Sequence, residues 1–152
     1  MSTSTKPSKI YQEVQEIMST SSAANQVTES IDKAMVCARA AIDKKADRVK
    51  VLDLSELSGF TDFFVISSGS SDRQVQAIAD SIEHEMALHG FRLVSNEGHG
   101  EGRWVLLDFG DVVVHIFLEA LRDYYNLESL WAEAPQVKIP SEFYGPGASR
   151  LN

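Results

Sequence analysis

Apolar residues recur with the period of an α-helix in two parts of the chain. From Thr28 onward they return at three- and four-residue steps, which predicts a helix with one apolar face, capped by Thr28 or Ser30. That face consists of Ile31, Ala34, Met35, Ala38, Ala41 and Ile42. The stretch "GSSDRQVQAIADSIEHEMALHG" predicts a second helix, which Ser70 or Ser71 caps and Gly90 ends.

Strand patterns lie between and after these helices. "VKVLDLSEL" predicts a strand, and "DFFVISS" is a continuous apolar run that is typical of a central strand buried on both faces. "FRLVS" predicts a third strand, and "NEGHGEGR" predicts a Gly-rich loop. Near the end of the pattern, "LEALRDYYNLESLWAEA" predicts one or two short helices.

The stretch "GRWVLLDFGDVVVHIF" predicts a β-hairpin. If Phe109 and Gly110 are its two loop residues, Trp104 faces His115 across the hairpin. One side is then purely aliphatic, and the other carries Trp104, Leu106, Val113 and His115. The apolar pattern favours burial of Trp104, but an exposed tryptophan beside polar neighbours is a typical binding anchor, so both interpretations stay open.

The predicted elements follow the order helix, strand, strand, helix, strand, strand, strand, helix. Because hairpins and a crossover both occur in this order, we predict an α/β fold with a mixed β-sheet flanked by helices. We expect residues 28–134 to form this domain. Residues 1–27 are expected to be a flexible Ser/Thr-rich extension, and residues 135–152 an irregular tail that contains Pro140 and "GPG".

The charge of the chain narrows the classes of partner. The formal net charge of −8 argues against broad binding to nucleic-acid phosphates, which needs clustered Lys and Arg. Between Glu97 and Glu133, eight acidic residues oppose only Arg103 and Arg122, a local net charge of 2 − 8 = −6. Such a region is either a solvated acidic surface or one that steers a basic partner.

Cysteine content and hydropathy indicate the compartment. The single cysteine, Cys37, cannot form an internal disulfide, fits a small core position in an Ala-rich helix and suits a reducing cytosol. No apolar run reaches the roughly 18 residues needed to span a bilayer. We therefore expect a cytoplasmic protein with no membrane partner.

Two motifs suggest chemistry without completing it. In "HEMALH", His84 and His89 are five residues apart, about 140° around a helix, so no metal site is expected. "SSGSS", at a strand-to-helix junction, is able to hold phosphate on backbone amides, and nucleotidyltransferases place Gly-Ser there. The next predicted strand lacks the paired carboxylates that hold magnesium, so no cofactor is expected. A nucleotide-binding or nucleotidyltransferase-type enzyme that uses Gly69 and Ser70 stays open as the alternative, as does a dimer formed through the hairpin.

Three separated segments together resemble the ribosomal silencing factor family, also called RsfS or Iojap. They are "TDFFVISSGSSDRQVQAIAD", "EGHGEGRWVLLDFGDVVVHIF" and "RDYYNLESLW", and the resemblance runs from about Ile31 to Trp131. It implies a nucleotidyltransferase-like topology without catalysis. It also implies binding to the large ribosomal subunit through large-subunit ribosomal protein number fourteen. Joining of the small subunit is then blocked, and translation is repressed when nutrients are short.

The resemblance also places the partner-binding surface around the hairpin. On this chain the matching residues are Glu97, Gly98, Gly102, Trp104, Leu106, Asp108 and His115. The glycines are expected to serve backbone geometry, Trp104 to be an apolar anchor, and Glu97 and Asp108 to make charge contacts. A core role is expected for Tyr124 and Tyr125. A homodimer of the free protein is a further possibility.

Overall fold

A computed structural model describes residues 29–146 of the chain, so the predicted extension 1–27 and Thr28 lie outside the described residues. The helices are α1 (residues 29–43), α2 (Asp72–Leu88), α3 (Glu119–Tyr125) and α4 (Leu127–Leu130). The strands are β1 (Asp47–Asp53), β2 (Phe63–Gly69), β3 (Ser95–Glu97), β4 (Trp104–Asp108), β5 (Val112–Leu118) and β6 (Gln136–Val137). A 3-10 helix follows at Ser141–Tyr144. Within residues 29–146, no helix is both long and apolar enough to cross a membrane.

The strands form one six-stranded sheet in the order β3-β4-β5-β2-β1-β6. β2 and β5 pair in parallel, and every other neighbouring pair is antiparallel. The α/β fold with a mixed sheet is thus confirmed. β2 lies near the middle and is buried along its whole length, as its unbroken apolar run predicts.

Helices α1 and α2 pack on one face of the sheet and bury the larger core cluster. Ser71 caps α2, since its hydroxyl accepts a hydrogen bond from the Gln74 amide at 3.1 Å, and Gly90 follows the helix with φ +78°. Cys37 is fully buried in this core, and its burial raises the pKa of the thiol.

Ser30 is not the cap of α1, because it already lies within the helix. Its hydroxyl instead reaches the sheet, 2.5 Å from a carboxylate oxygen of Asp111 and 3.1 Å from one of Asp62. Lys33, one turn later, pairs with Asp111 at 2.9 Å. These polar contacts fix α1 to the start of β2 and to the turn before β5.

The hairpin differs from its predicted register by two residues. Trp104 pairs with Phe117 and Leu106 with His115, and the loop consists of Gly110 and Asp111 rather than Phe109 and Gly110. An even shift keeps each side chain on its predicted face, because side chains alternate with a period of two. Each hairpin face therefore has its predicted residues, although the predicted cross-strand pairs were wrong.

Two further segments differ from expectation. The predicted strand "FRLVS" is not a strand before Ser95, and β3 extends into the segment predicted as loop. Residues 136–144, expected to be irregular, contain β6, which pairs with β1, and the 3-10 helix. Ile139 and Phe143 pack against the larger core cluster.

Candidate partner-binding face

The sheet face opposite α1 and α2 is only partly covered. Its buried cluster includes Phe64, Ile66 and Phe117, and α3 and α4 cover it from one end. Large apolar side chains remain at its surface. We call this surface the aromatic face, and its exposed or half-buried members are Phe60, Trp104, Leu106, Tyr124, Tyr125, Leu130 and Trp131.

Trp104 belongs to this face and is half-buried, which is intermediate between the buried and exposed alternatives that the sequence leaves open. Its ring packs against Phe117 at 4.8 Å and Tyr125 at 4.9 Å between centroids. Its indole Nε1 donates a hydrogen bond to Nδ1 of His115 at 3.2 Å. The indole is thereby held in one orientation with part of its surface accessible, which is the state of a preformed anchor.

His115 lies beneath this anchor and is only 4% exposed. Burial lowers its pKa to about 4, so the ring is neutral near pH 7. Since Nδ1 accepts from Trp104, the ring proton belongs on Nε2, which has no hydrogen-bond partner among the described residues. His115 thus orients Trp104 and does not itself reach the surface.

Gly98 and Gly102 flank the loop that leads to Trp104, and both have positive φ, +83° and +67°. A Cβ on Gly98 would overlap the carbonyl oxygen of Trp104. A Cβ on Gly102 would lie 2.7 Å from the carbonyl oxygen of Asp72. A side chain at either position would displace the strand that carries the anchor.

The remaining sequence-predicted residues border the anchor. Leu106 is half-buried and pairs with Glu97 of β3 on one side and His115 on the other. Glu97 is exposed. One carboxylate oxygen of Asp108 accepts a hydrogen bond from the Gly110 amide at 2.7 Å. This oxygen stabilises the turn and is less available to a partner.

The aromatic face also contains residues that were not predicted from the sequence as part of a binding surface. Some of them were expected in the core. Tyr124 and Tyr125 are not core residues, being 78% and 50% exposed. Phe60 is 64% exposed, and its ring lies 6.5 Å from that of Trp131. The sequence carried only a weak signal for this exposure, because consecutive residues on a helix point about 100° apart and both can face one core.

A buried arginine holds α3 and α4 on the sheet. Arg122 is 1% exposed; its Nε donates to Glu128 at 2.8 Å and its Nη1 to Ser68 at 2.9 Å. Glu128 also pairs with Lys50 at 2.9 Å, and these contacts, Arg122 first, lower its pKa to about 2. Because α3 and α4 have only seven and four residues, they depend on such anchoring for their position.

Acidic side chains surround the face unevenly. Asp108, Asp111, Asp123 and Glu128 have hydrogen bonds or ion pairs within residues 29–146. Glu97, Glu101, Glu119 and Glu133 are exposed and have none there. Fewer acidic side chains are therefore available to a partner than the eight counted in the sequence between Glu97 and Glu133, but the surface stays negative.

The strand-to-helix junction considered for nucleotide binding is occupied by its own side chains. The Ser70 amide donates to Oε1 of Gln74 at 2.7 Å, and the Gln74 amide donates to Ser71. The carboxylates Asp62 and Asp111 lie together near the start of β2, at the opposite end of that strand. Across the described part of the chain, three or more His, Cys, Asp or Glu side chains nowhere converge as metal ligands.

The chain is similar to proteins of one family. The family model described as "Ribosomal silencing factor during starvation" matches residues 27–149 and so includes the segment after Ala134 that the sequence comparison left out. Ribosomal silencing factor RsfS of Bacillus subtilis (strain 168) is 47% identical over 104 residues, 68% of this chain and 88% of that protein. Protein Iojap, chloroplastic, of Arabidopsis thaliana is 39% identical over 114 residues, 75% of this chain and 48% of that protein.

Solved structures give the same result. A crystal structure of a Chromobacterium violaceum protein has a TM-score of 0.65 and 37% identity, covering 78% of this chain and 94% of that one. One from Bacillus halodurans has a TM-score of 0.62 and 43% identity, covering 68% of this chain and 94% of that one. The chain therefore belongs to the ribosomal silencing factor family, RsfS, whose members act in the regulation of translation.

Proposed function

We propose that the aromatic face binds the large ribosomal subunit, through large-subunit ribosomal protein number fourteen. The observation that carries the proposal is the preformed anchor: Trp104 is fixed by His115, Phe117 and Tyr125 while part of its ring stays accessible. A rigid, half-buried tryptophan surrounded by other apolar groups is the usual composition of a binding hot spot.

Charge supports the same class of partner. Glu97, an exposed acidic residue without an ion pair in the described part of the chain, borders the face, since it pairs with Leu106 across β3 and β4. An acidic rim favours a basic protein over ribosomal RNA, whose phosphates it repels. The partner contacted is thus a basic ribosomal protein, and the contacting residues are Glu97, Leu106 and Trp104, with Gly98, Gly102, Asp108 and His115 as their supports.

In the proposed mechanism the protein is a steric block and not an enzyme. Bound on the intersubunit side of the large subunit, a folded domain of this size prevents the small subunit from joining, and translation falls when nutrients are short. The protein acts in the cytoplasm. The alternative of nucleotide chemistry at Gly69 and Ser70 has less support, because Gln74 already accepts the Ser70 amide.

The test is sedimentation of the purified chain with isolated large subunits, followed by addition of small subunits. We expect co-sedimentation and a loss of joined ribosomes. Trp104→Ala should weaken binding by about a hundredfold, as expected for a hot-spot tryptophan. Leu88→Ala is the matched control, since Leu88 is 67% exposed and ends α2 on the other side of the sheet. Equal binding by Trp104→Ala and the wild type, with both folded, rules out the anchor.

A homodimer of the free protein through the same face is part of the proposal. An accessible apolar face is stabilised by any complementary surface, including its own copy. Sedimentation equilibrium should then show self-association that Trp104→Ala weakens, and added large subunits should convert the dimer to bound monomer. Self-association that persists unchanged in Trp104→Ala places the dimer contact elsewhere.

A further inference from the structure

A second concave surface lies on the opposite side of the sheet from the aromatic face. It is a groove of about 580 Å³ between α1, the C-terminal end of α2 and the 3-10 helix. Its lining includes Arg39 and Asp43 of α1, Glu85 of α2, and Phe91 and Phe143. We call it the helix groove, and a partner in it would not compete with one on the aromatic face.

The floor of the helix groove is apolar and incompletely covered. Met35, Val36, Phe91 and Phe143 are all half-buried, and the last three pack against the main core. Arg39 lies over the Phe143 ring at 5.2 Å and so holds the 3-10 helix against α1 as one wall. The groove is therefore a built feature of three elements rather than a gap beside a loop.

The rim of the groove is acidic. The carboxylates of Asp32, Asp43 and Glu85 have no hydrogen bond or ion pair with any described side chain. Asp32 and Asp43 are eleven residues apart on α1, which places them on the same side of the helix and about 16 Å apart. Glu85 stands on the opposite wall, on α2, so carboxylates flank the apolar floor at both ends and across it.

We propose that the helix groove is a second docking surface, which takes a cationic amphipathic protein segment. Apolar side chains of the segment cover Met35, Val36 and Phe91, and its Lys or Arg residues pair with Asp32, Asp43 and Glu85. Nucleic acid does not fit, because three carboxylates and one arginine, Arg39, stand among the described lining residues. Lys33, which lies over the Phe91 ring, is already paired with Asp111. The proposal does not rest on the function proposed for the aromatic face.

The test is calorimetric titration of the full chain with a synthetic amphipathic helix of leucine and lysine, about 14 residues long. The matched probe has glutamate in place of every lysine. We expect the lysine peptide to bind with micromolar affinity, to bind more weakly at high salt, and the glutamate peptide not to bind. Equal binding of the two peptides overturns the proposal.

Charge-reversed variants separate the groove from the general acidity of the protein. Asp43→Lys with Glu85→Lys should weaken binding by at least about tenfold. Glu101→Lys with Glu133→Lys makes the same change in net charge at exposed sites outside the groove and should weaken it by less than about threefold. Equal losses in the two double variants mean non-specific attraction and overturn the docking site.

Chemical-shift mapping identifies the surface and the occupant. The lysine peptide should shift the signals of Val36, Phe91 and Phe143 and leave the Trp104 and Trp131 indoles unchanged; the reverse pattern overturns the proposal.

Other occupants of the helix groove would give different results. If Ile10→Ser with Ile17→Ser raises the affinity for the lysine peptide by about tenfold, the chain's own N-terminal segment competes with the peptide and is the occupant. If Asp43→Lys with Glu85→Lys abolishes self-association of the protein, the occupant is a second copy of the chain. Either outcome replaces the proposed partner.

Discussion

The hydrogen bond between Trp104 and His115 requires a neutral histidine, because Nδ1 must accept the indole proton. The imidazole has an ordinary pKa of about 6.5, and burial lowers the folded value to about 4. Between these values the unfolded chain binds more protons, so we expect stability to fall as pH is lowered through this window. The full loss is about 3 kcal/mol. Urea unfolding at several pH values measures it.

The control for this pH dependence is His115→Gln, which is neutral at every pH and retains a hydrogen-bond acceptor. We expect its stability to depend much less on pH between about 6.5 and 4 than that of the wild type. The other three histidines, His84, His89 and His99, are partly or fully exposed and remain in both proteins. An unchanged slope in His115→Gln would assign the pH dependence to groups other than the buried ring.

The glycines near the anchor offer a matched comparison within one loop. Gly98 has positive φ and its Cβ position is occupied by the Trp104 carbonyl, so Gly98→Ala should cost about 2–3 kcal/mol of unfolding free energy. Gly100 has open space at its Cβ position and no positive φ, so Gly100→Ala should change stability by less than about 0.5 kcal/mol. Denaturant unfolding of both variants checks the difference, and similar losses would contradict it.

At the scale of elements, the sequence predicts which side of a strand each residue faces better than it predicts pairing. The alternation in "VVVHIF" assigns faces but tolerates any even shift, because both faces are buried and no polar residue is misplaced. Phe109 decides the register: it is 4% exposed and packs in the main core, so it cannot be a loop residue. Its amide bonds to Val112 instead, which leaves Gly110 and Asp111 as the loop.

The predicted strand "FRLVS" was misplaced for a related reason. Phe91 and Leu93 are apolar because they pack against the main core, not because they belong to a ladder. Only the Val94 amide joins the sheet before β3, by donating to Asp108 at 2.7 Å. The aromatic face was likewise hard to predict as a whole, since Phe60 and Trp131 meet Phe64 only through tertiary packing.

The ion pair between Arg122 and Glu128 is expected to decide whether α3 and α4 hold their position. Glu128→Gln leaves a buried guanidinium without a counter-charge, so it should cost about 2 kcal/mol and loosen the packing of Tyr125 on Trp104. Asp123→Asn removes the exposed ion pair between Asp123 of α3 and Arg48 of β1 and should cost less than about 0.5 kcal/mol. Denaturant unfolding and near-ultraviolet circular dichroism measure the two effects.

The same pair has its own pH window. The pKa of Glu128 is lowered to about 2, so its contribution to stability is fully present above about pH 4.5 and is lost as pH falls towards 2. This lies below the window of His115, which allows the two to be separated. Glu128→Gln should remove the lower step and keep the upper one. Loss of both steps in this variant would mean that the two sites are not independent.

At the scale of the molecule, the two faces of one sheet differ in how completely they are covered. α1 and α2 close one face and supply most of the buried core, while α3 and α4 leave the other face partly open. The exposed apolar side chains Phe60, Tyr124 and Leu130 stand on that open side or at its border. The main core lies on the side of α1 and α2, so a residue of the aromatic face such as Trp104 can be replaced without removing the main core.

If the proposed contact is correct, charge and apolar contact should have separate kinetic effects on binding. Exposed acidic residues attract a basic protein at long range, so Glu97→Lys with Glu101→Lys should lower the association rate constant for isolated large-subunit ribosomal protein number fourteen several-fold at low salt and leave dissociation nearly unchanged. Trp104→Ala removes a short-range apolar contact, so it should raise the dissociation rate constant by about a hundredfold with little effect on association. Stopped-flow measurements with the labelled isolated ribosomal protein at low and high salt separate the two constants. If Trp104→Ala acted only on association, the tryptophan would not be a contact in the bound complex.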